Sequence, residues 1–299
     1  MSCLRVWVCL LVAVSAECET LSIAGLRQPV EIIRDHWGIA HIYARDEADL
    51  FFAQGFNAAH DRLFQLEMWR RQATGTVTEI LGAQSLKRDI GNRLFRFRGD
   101  LTQELNWYHP HGAAIVQSFV DGVNAYVAET ERNPALLPLE FKMLGFRPGR
   151  WTPREVITRF NALLGNIDQE LALAQAIRAV GTETVKDIDY FQPAGPNLEI
   201  DPAIDAALLS NEILGLYHAF RMPLKFTAGE LAVEYRNPKS VEEVHSNSEL
   251  VNGSNNWVVS GKLTMTGYPI LANDPHRDLS APSLRYWVHL VAPGWNVIG

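Results

Sequence analysis

The sequence predicts an α+β protein in which a mostly helical first part precedes a short run of strands. Three observations carry this. Apolar residues recur three or four apart in stretches between residues 46 and 221, the signature of amphipathic helices. A polar, breaker-rich stretch follows at 223–253, and beyond residue 254 the pattern shortens to β-prone runs. With 299 residues, 47% hydrophobic and 10% aromatic, the chain has ample material for a core. Its net charge of −7, with no cluster of Lys and Arg, argues against a nucleic-acid partner.

The chain opens on Arg5, the apolar run Val6 to Val14, then Ser15, Ala16 and the polar Glu17, the layout of a secretory signal peptide over residues 1–16. The run falls well short of the ~20 residues a membrane helix needs. Export to the periplasm or beyond, with removal near Ala16 and no permanent anchor, is the expectation. Cys3 and Cys9 leave with that peptide; Cys18 stays alone, so no intrachain disulfide is expected. Glu17, directly before Cys18, does not suit a lipid-modified cysteine.

Val30 to Ile33 and Ile39 to Tyr43 flank the breakers Asp35-His36-Trp37-Gly38 and read as paired strands. A long helix is predicted from Asp46 to a stop at Gly75, burying Phe56, Ala59, Leu63, Leu66, Trp69 and Ala73. Its other face carries Arg62, Glu67, Arg70 and Arg71, with Glu67 and Arg71 as an i,i+4 pair. A second helix spans about Ala113 to Glu129, with Ile115, Phe119, Val123, Tyr126 and Val127 on one side. Thr152-Pro153-Arg154-Glu155 is a capping box with Pro at the first helical position. The helix it starts is interrupted near Gly165-Asn166, continues through Leu171 and Ala179, and ends at Gly181. Asp201-Pro202 repeats the start signal for a helix reaching about Arg221.

These elements divide the chain into a helical portion at 17–222, a linker or removable spacer at 223–253, and a strand-rich portion at 254–299. In the last portion Trp257 to Val259, Tyr268 to Leu271 and the alternating stretch from Leu284 to Val291 read as strands. Val297-Ile298-Gly299 stops within what reads as a further strand or turn, so the reading frame is expected to continue.

Familiar catalytic signatures are missing: no G-x-S-x-G elbow, S-x-x-K, Walker loop or H-E-x-x-H. His109-Pro110-His111 reads as a surface loop rather than a ligand pair, because zinc sites use recognisable multi-ligand spacings. The informative stretch is Asn252-Gly253-Ser254-Asn255-Asn256-Trp257, where spacer meets strands. Residue chemistry leaves three readings open: a turn entering a strand, the foremost because Asn-Gly is a strong turn dipeptide; a glycosylation sequon at Asn252; and an autoproteolytic junction. The third has a definite mechanism. A Ser freed at a chain start carries its own α-amine, whose pKa of ~7.7–8.0 lies far below the ~10.4 of Lys, so nucleophile and base come from one residue. Gly253 leaves the scissile carbonyl accessible to the Ser254 hydroxyl for an N-to-O acyl shift.

Four blocks, in order, resemble the penicillin acylase family of N-terminal nucleophile hydrolases. Asp35-x-Trp37-Gly38-Ile39-Ala40-His41-Ile42 is similar to the family's opening strand pair. Ala59-His60-Asp61-Arg62-Leu63-Phe64-Gln65-Leu66-Glu67, with Arg70-Arg71, Gly75, Glu79 and Gly82, is similar to its long first helix and exit. Gly253-Ser254-Asn255-Asn256-Trp257 is similar to its cleavage junction, and Asn273-Asp274-Pro275-His276 to its next active-site loop.

The resemblance implies a precursor of signal peptide, α chain, spacer and β chain, with helices packed on an αββα sandwich that is only begun in these residues. Cleavage between Gly253 and Ser254 would make Ser254 the nucleophile toward a linear amide, such as a β-lactam side chain or an acyl-homoserine lactone. His276 would support the amine or the oxyanion, and Asn255 is a structural residue of the strand start. No cofactor is needed for the chemistry. A structural calcium between the chains is implied, with Glu170, or its neighbour Asp168, as the α-chain ligand. The stretch Leu164 to Ile167 would face the acyl group. The family's remaining oxyanion residues fall beyond residue 299, so this stretch alone is expected to be inactive. A secreted binding or scaffold domain that keeps the fold without processing is the alternative.

Overall fold

The computed structural model describes residues 19–158, 167–191, 194–236, 254–275 and 281–299. The expected signal peptide, the Gly165-Asn166 break, most of the spacer, Gly253 and His276 lie outside the described residues.

Two strands open the fold, β1 (Glu31–Arg34) and β2 (Ala40–Tyr43), paired antiparallel as the sequence predicts. Asp35 makes the turn between them: its Oδ1 accepts the amides of Trp37 and Ile39 at 2.9 Å each, and Gly38 takes a φ of 78°. On its other edge β2 pairs in parallel with β5 (Val288–Ala292), Ala40 opposite Val288 and His41 opposite His289. β5 turns back antiparallel into β6 (Trp295–Ile298), giving the order β1-β2-β5-β6.

One face of this sheet is a core, where Ala40, Ile42, Val288, Leu290 and Ala292 pack on Leu50, Phe51 and Ala53 of the first helix. That helix, α1 (Glu47–Thr74), starts and stops where predicted. The Asp46 side chain caps the Asp49 amide, and Gly75 closes it in the left-handed region at φ 64°, its N–H reaching the Arg71 and Gln72 carbonyls. The sequence did not announce the bend: Arg62 leaves helical geometry at φ −138°, ψ 25°.

The next elements are α2 (Thr78–Leu81), α3 (Leu86–Phe95), α4 (Leu101–Tyr108) and α5 (Gly112–Arg132). α5 lies against α1, and two glycines set how closely. A Cβ on Gly55 would fall 1.9 Å from the Phe119 carbonyl oxygen, and one on Gly122 1.9 Å from that of Phe52. Ala59, Leu63 and Leu66 of α1 meet Val120, Val123, Tyr126 and Val127 of α5 in the second core, joined by Phe141 and Trp151.

α6 (Leu139–Leu144) and α7 (Pro153–Thr158) follow. The predicted capping box forms at the start of α7, Glu155 accepting the Thr152 amide while the Thr152 hydroxyl accepts the Arg154 amide. α8 (Ile167–Val180) ends at Gly181, φ 86°, as expected, and α9 (Thr182–Ile188) and α10 (Gly215–Arg221) complete the helices.

Three expectations need correction. Glu67 is not on the solvent face: it is 1% exposed, its carboxylate accepts Arg70 Nε at 2.8 Å and the Gly149 amide at 2.9 Å, and it forms an ion pair with Arg71 at 2.7 Å. Several charged and polar donors offset the cost of burying that charge. No helix starts at Asp201-Pro202, where the Asp201 carboxylate holds the Ala203 amide in a local turn; short 3₁₀ helices follow at Ala206–Leu208, capped by Asp205, and at Asn211–Leu214, and the α-helical part reaching Arg221 is α10. The strand expected from Leu284 begins at Val288, because Tyr286 is bound elsewhere. Among the described residues no helix is long and apolar enough to cross a membrane.

Candidate active site

Ser254 directly precedes β3 (Asn255–Val259), which pairs antiparallel with β4 (Ile270–Asp274) in a separate two-stranded sheet. The register sets Asn255 opposite Asp274 and Asn256 opposite Asn273. Antiparallel pairing therefore brings the start of β3 beside the end of β4, so exposed Ser254 adjoins the strand end that leads through Pro275 toward His276. Asn255 sits in the ladder, in line with a structural role.

Behind the 276–280 stretch the chain is clamped to the bend of α1. Arg62 Nη1 and Gln65 Nε2 both donate to the Ser283 carbonyl, at 3.4 and 3.2 Å. Three residues on, the Tyr286 hydroxyl donates to Asp61 Oδ2 at 2.6 Å and accepts from Asn57. Asp61 Oδ1 also accepts Arg34 Nη2 at 2.8 Å and lies 2.8 Å from His60 Nδ1; the same Arg34 nitrogen donates to Asn57 at 2.7 Å. Burial alone raises the Asp61 carboxyl, but hydrogen bonds from His60, Tyr286 and Arg34, with the Arg34 charge, outweigh it and bring the pKa down to about 2. Burial, then the bond to the Asp61 carboxylate, pushes the Tyr286 phenol up, so it stays a proton donor. The Arg62 guanidinium rests 5.8 Å from the centre of the Tyr286 ring.

Sequence reasoning read Asp61 and Arg62 only as residues of a helix. The signal was present in His60-Asp61-Arg62, a polar triplet at the middle of an amphipathic pattern. Two cavities flank the bend. One of about 420 Å³ is lined by Trp37, Ile39, Arg62, Arg285, Tyr286 and Trp287. The other, of about 480 Å³, is walled by Phe64, Met68 and Trp69 with Pro138, Pro223 and Pro282.

The remaining sequence candidates fall elsewhere. Glu170 is exposed in the first turn of α8, and Asp168 meets His218 Nε2 at 2.5 Å. Among the described residues no three His, Cys, Asp or Glu side chains converge to hold a metal ion. Ile167 packs beside Leu171, Leu214, Tyr217 and Phe220; the rest of the expected acyl-facing stretch, Leu164 to Asn166, lies outside the described residues. His109 accepts the His111 amide and His111 bonds Glu47 at 3.0 Å, the loop role expected of them.

Comparison with known proteins matches residues 29–299 to the family model described as penicillin amidase. The penicillin acylase 2 proenzyme of Pseudomonas sp. (strain SE83) is 34% identical over 283 residues, 94% of this chain and 34% of that protein. The penicillin G acylase of Escherichia coli is 27% identical, covering 90% of this chain and 36% of its own length. An acyl-homoserine lactone acylase, QuiP of Pseudomonas aeruginosa, is 29% identical over 93% of this chain and 31% of that protein. The chain thus spans about a third of the length of these relatives.

Proposed function

The chain belongs to the penicillin amidase family, and on that premise we propose that it is the first part of an exported acylase precursor that hydrolyses a linear amide. Relatives named for penicillin and for acyl-homoserine lactones define the range of acyl substrates to test. The observation that supports the reading is the β3–β4 register: Ser254 directly precedes β3, whose first residue, Asn255, lies opposite Asp274 at the end of β4. A relative named as a proenzyme supports processing.

In this reading the Ser254 hydroxyl attacks the Gly253 carbonyl, the acyl group moves from nitrogen to oxygen as the C–N bond breaks and frees the protonated α-amine, and water then hydrolyses the ester, releasing the Gly253 carboxylate and the Ser254 hydroxyl. In turnover the amine takes the hydroxyl proton as Ser254 Oγ adds to the substrate carbonyl. The proton passes to the departing amine, leaving an acyl-enzyme. Water, deprotonated by the same amine, then frees the carboxylic acid. His276 supports the amine or the oxyanion by a hydrogen bond. The Asp61–Tyr286 contact ties the chain at residue 286 to α1. Calcium enters no step.

The test follows amine release from penicillin G and from an acyl-homoserine lactone by the full-length protein. Turnover of at least one, abolished in Ser254→Ala, supports the reading. Unchanged turnover in Ser254→Ala, or no hydrolysis of any linear amide by the native protein, removes it and favours the unprocessed scaffold.

A further inference from the structure

Residues 223–236 read in sequence as the start of a removable spacer, yet in the fold they are tied at several points to the helical portion. The hold begins at Arg88 of α3, a buried residue whose guanidinium donates to three backbone carbonyls where α10 ends: Phe220 at 3.4 Å, Met222 at 2.6 Å and Pro223 at 3.0 Å. Charge-assisted bonds to these carbonyls offset the cost of burying the guanidinium.

Further ties follow along the segment. The Phe226 ring meets that of Phe64 on α1 at 6.2 Å between centres. Thr227 and Glu230 close a turn on themselves, one Glu230 oxygen accepting the Thr227 amide at 2.7 Å and the Thr227 hydroxyl at 2.6 Å; the other accepts Gln84 Nε2 at 3.1 Å. The Ala232 amide donates to the Met143 carbonyl at 2.7 Å. Met143 lies in the last turn of α6, where carbonyls lack partners within their own helix, so the segment supplies one from outside. Arg236 donates back to the Leu231 and Gly229 carbonyls at 2.7 and 3.0 Å. Breakers such as Pro223 and Gly229 signal a lack of regular structure, and none forms apart from a 3₁₀ turn at Val233–Tyr235. They carry no information about what binds the backbone.

We propose that residues 223–236 are a strap that stays with the helical portion, locked by Arg88, and are not spacer. Cutting a peptide requires its backbone to leave its partners and enter another active site. The Met222 and Pro223 carbonyls, at the very point where the sequence places the start of the spacer, are the ones Arg88 holds. Met222, Pro223 and Leu224 also line the cavity of about 480 Å³ beside the α1 bend, so loss of the strap would strip one of its walls. If the precursor is cut before Ser254, which rests on the proposed function, the first chain keeps its residues through Arg236.

Two measurements on the full-length protein test this. In uncut Ser254→Ala, brief trypsin digestion is read by mass spectrometry. Arg221 and Lys225 are exposed and offer trypsin the side chains it prefers, yet both sites should resist, and the Ala232 amide should exchange at least about a hundredfold more slowly than in an unstructured chain. Arg88→Gln, which shortens the side chain and removes its charge, should speed cutting after Lys225 at least about tenfold while exchange in α1 stays unchanged, because opening of the strap governs the cut. Ready cutting after Lys225 in Ser254→Ala, or Ala232 exchanging at the free rate, would overturn the proposal. The second measurement is the intact mass of the first chain of the processed native protein. A C-terminus at Arg236 or later supports the strap, and one anywhere from 222 to 235 overturns it. A native protein that stays as one chain refutes the processing reading alone, and the trypsin and exchange results then decide the strap.

Discussion

Asp61→Asn is the sharpest probe of the clamp behind the site, because it removes one charge and keeps the shape of the side chain. The carboxylate accepts from Arg34, Tyr286 and His60 and is 18% exposed, so solvent screens it little. Its pKa falls from 3.8 to about 2 on folding. Binding a proton less readily when folded means that the ionised group stabilises the fold by about 2 kcal/mol at pH 7, at 1.36 kcal/mol per unit. The contribution is whole above pH ~4 and fades as acid approaches the folded value. Urea denaturation of the native protein and Asp61→Asn at pH 7 should therefore differ by about 2 kcal/mol, and the gap should narrow by about 1 kcal/mol by pH 3. A gap that stays constant across that range, or is absent at pH 7, would show that the Asp61 charge does not hold the clamp.

Other outcomes follow from the same contacts. Glu67→Gln takes the carboxylate from half-buried Arg70 and leaves buried Arg71 with Glu79 as its remaining counter-charge among the described residues, and should cost about 3 kcal/mol in chemical denaturation; a loss below about 1 kcal/mol would mean that the Glu67 charge does not hold the arginines. Gly122→Ala sets a Cβ 1.9 Å from the Phe52 carbonyl oxygen and should destabilise by about 1–3 kcal/mol as α5 is pushed off α1, read as a lowered Tm. Ser254→Cys should still mature to some extent, since a thiol makes the same acyl shift, whereas Ser254→Ala stays uncut on denaturing gels; equal cleavage of the two would separate processing from this side chain. The rate of acylation should rise with pH through about 7.7–8.0 as the Ser254 amine loses its proton, and a flat profile there would mean that another base serves.

The long elements were legible because their signals are local. Asp46 and Gly75 bracket α1, Thr152 and Glu155 cap α7, and Asp35 turns β1 into β2, each through bonds within a few residues. What the sequence hid depends on distant partners. Glu67 looks like a solvent-facing helix charge until Gly149 and two arginines enclose it. Gly55 and Gly122 read as weak helix positions until the two helices touch there. Asp201 mimics a helix start yet closes its own turn. In the proposed site, Ser254 was singled out by the resemblance of residues 253–257 to the family's junction, and the fold adds that it directly precedes β3. Asp61 and Tyr286, separated by 225 positions, become a pair only in the fold.

The account stands on one bond between residues 253 and 254. Edman sequencing and intact mass of the full-length protein, purified in active form, test it directly. The prediction is two chains, the second beginning Ser-Asn-Asn-Trp. An active preparation whose polypeptide runs unbroken from Gly253 into Ser254 would contradict it.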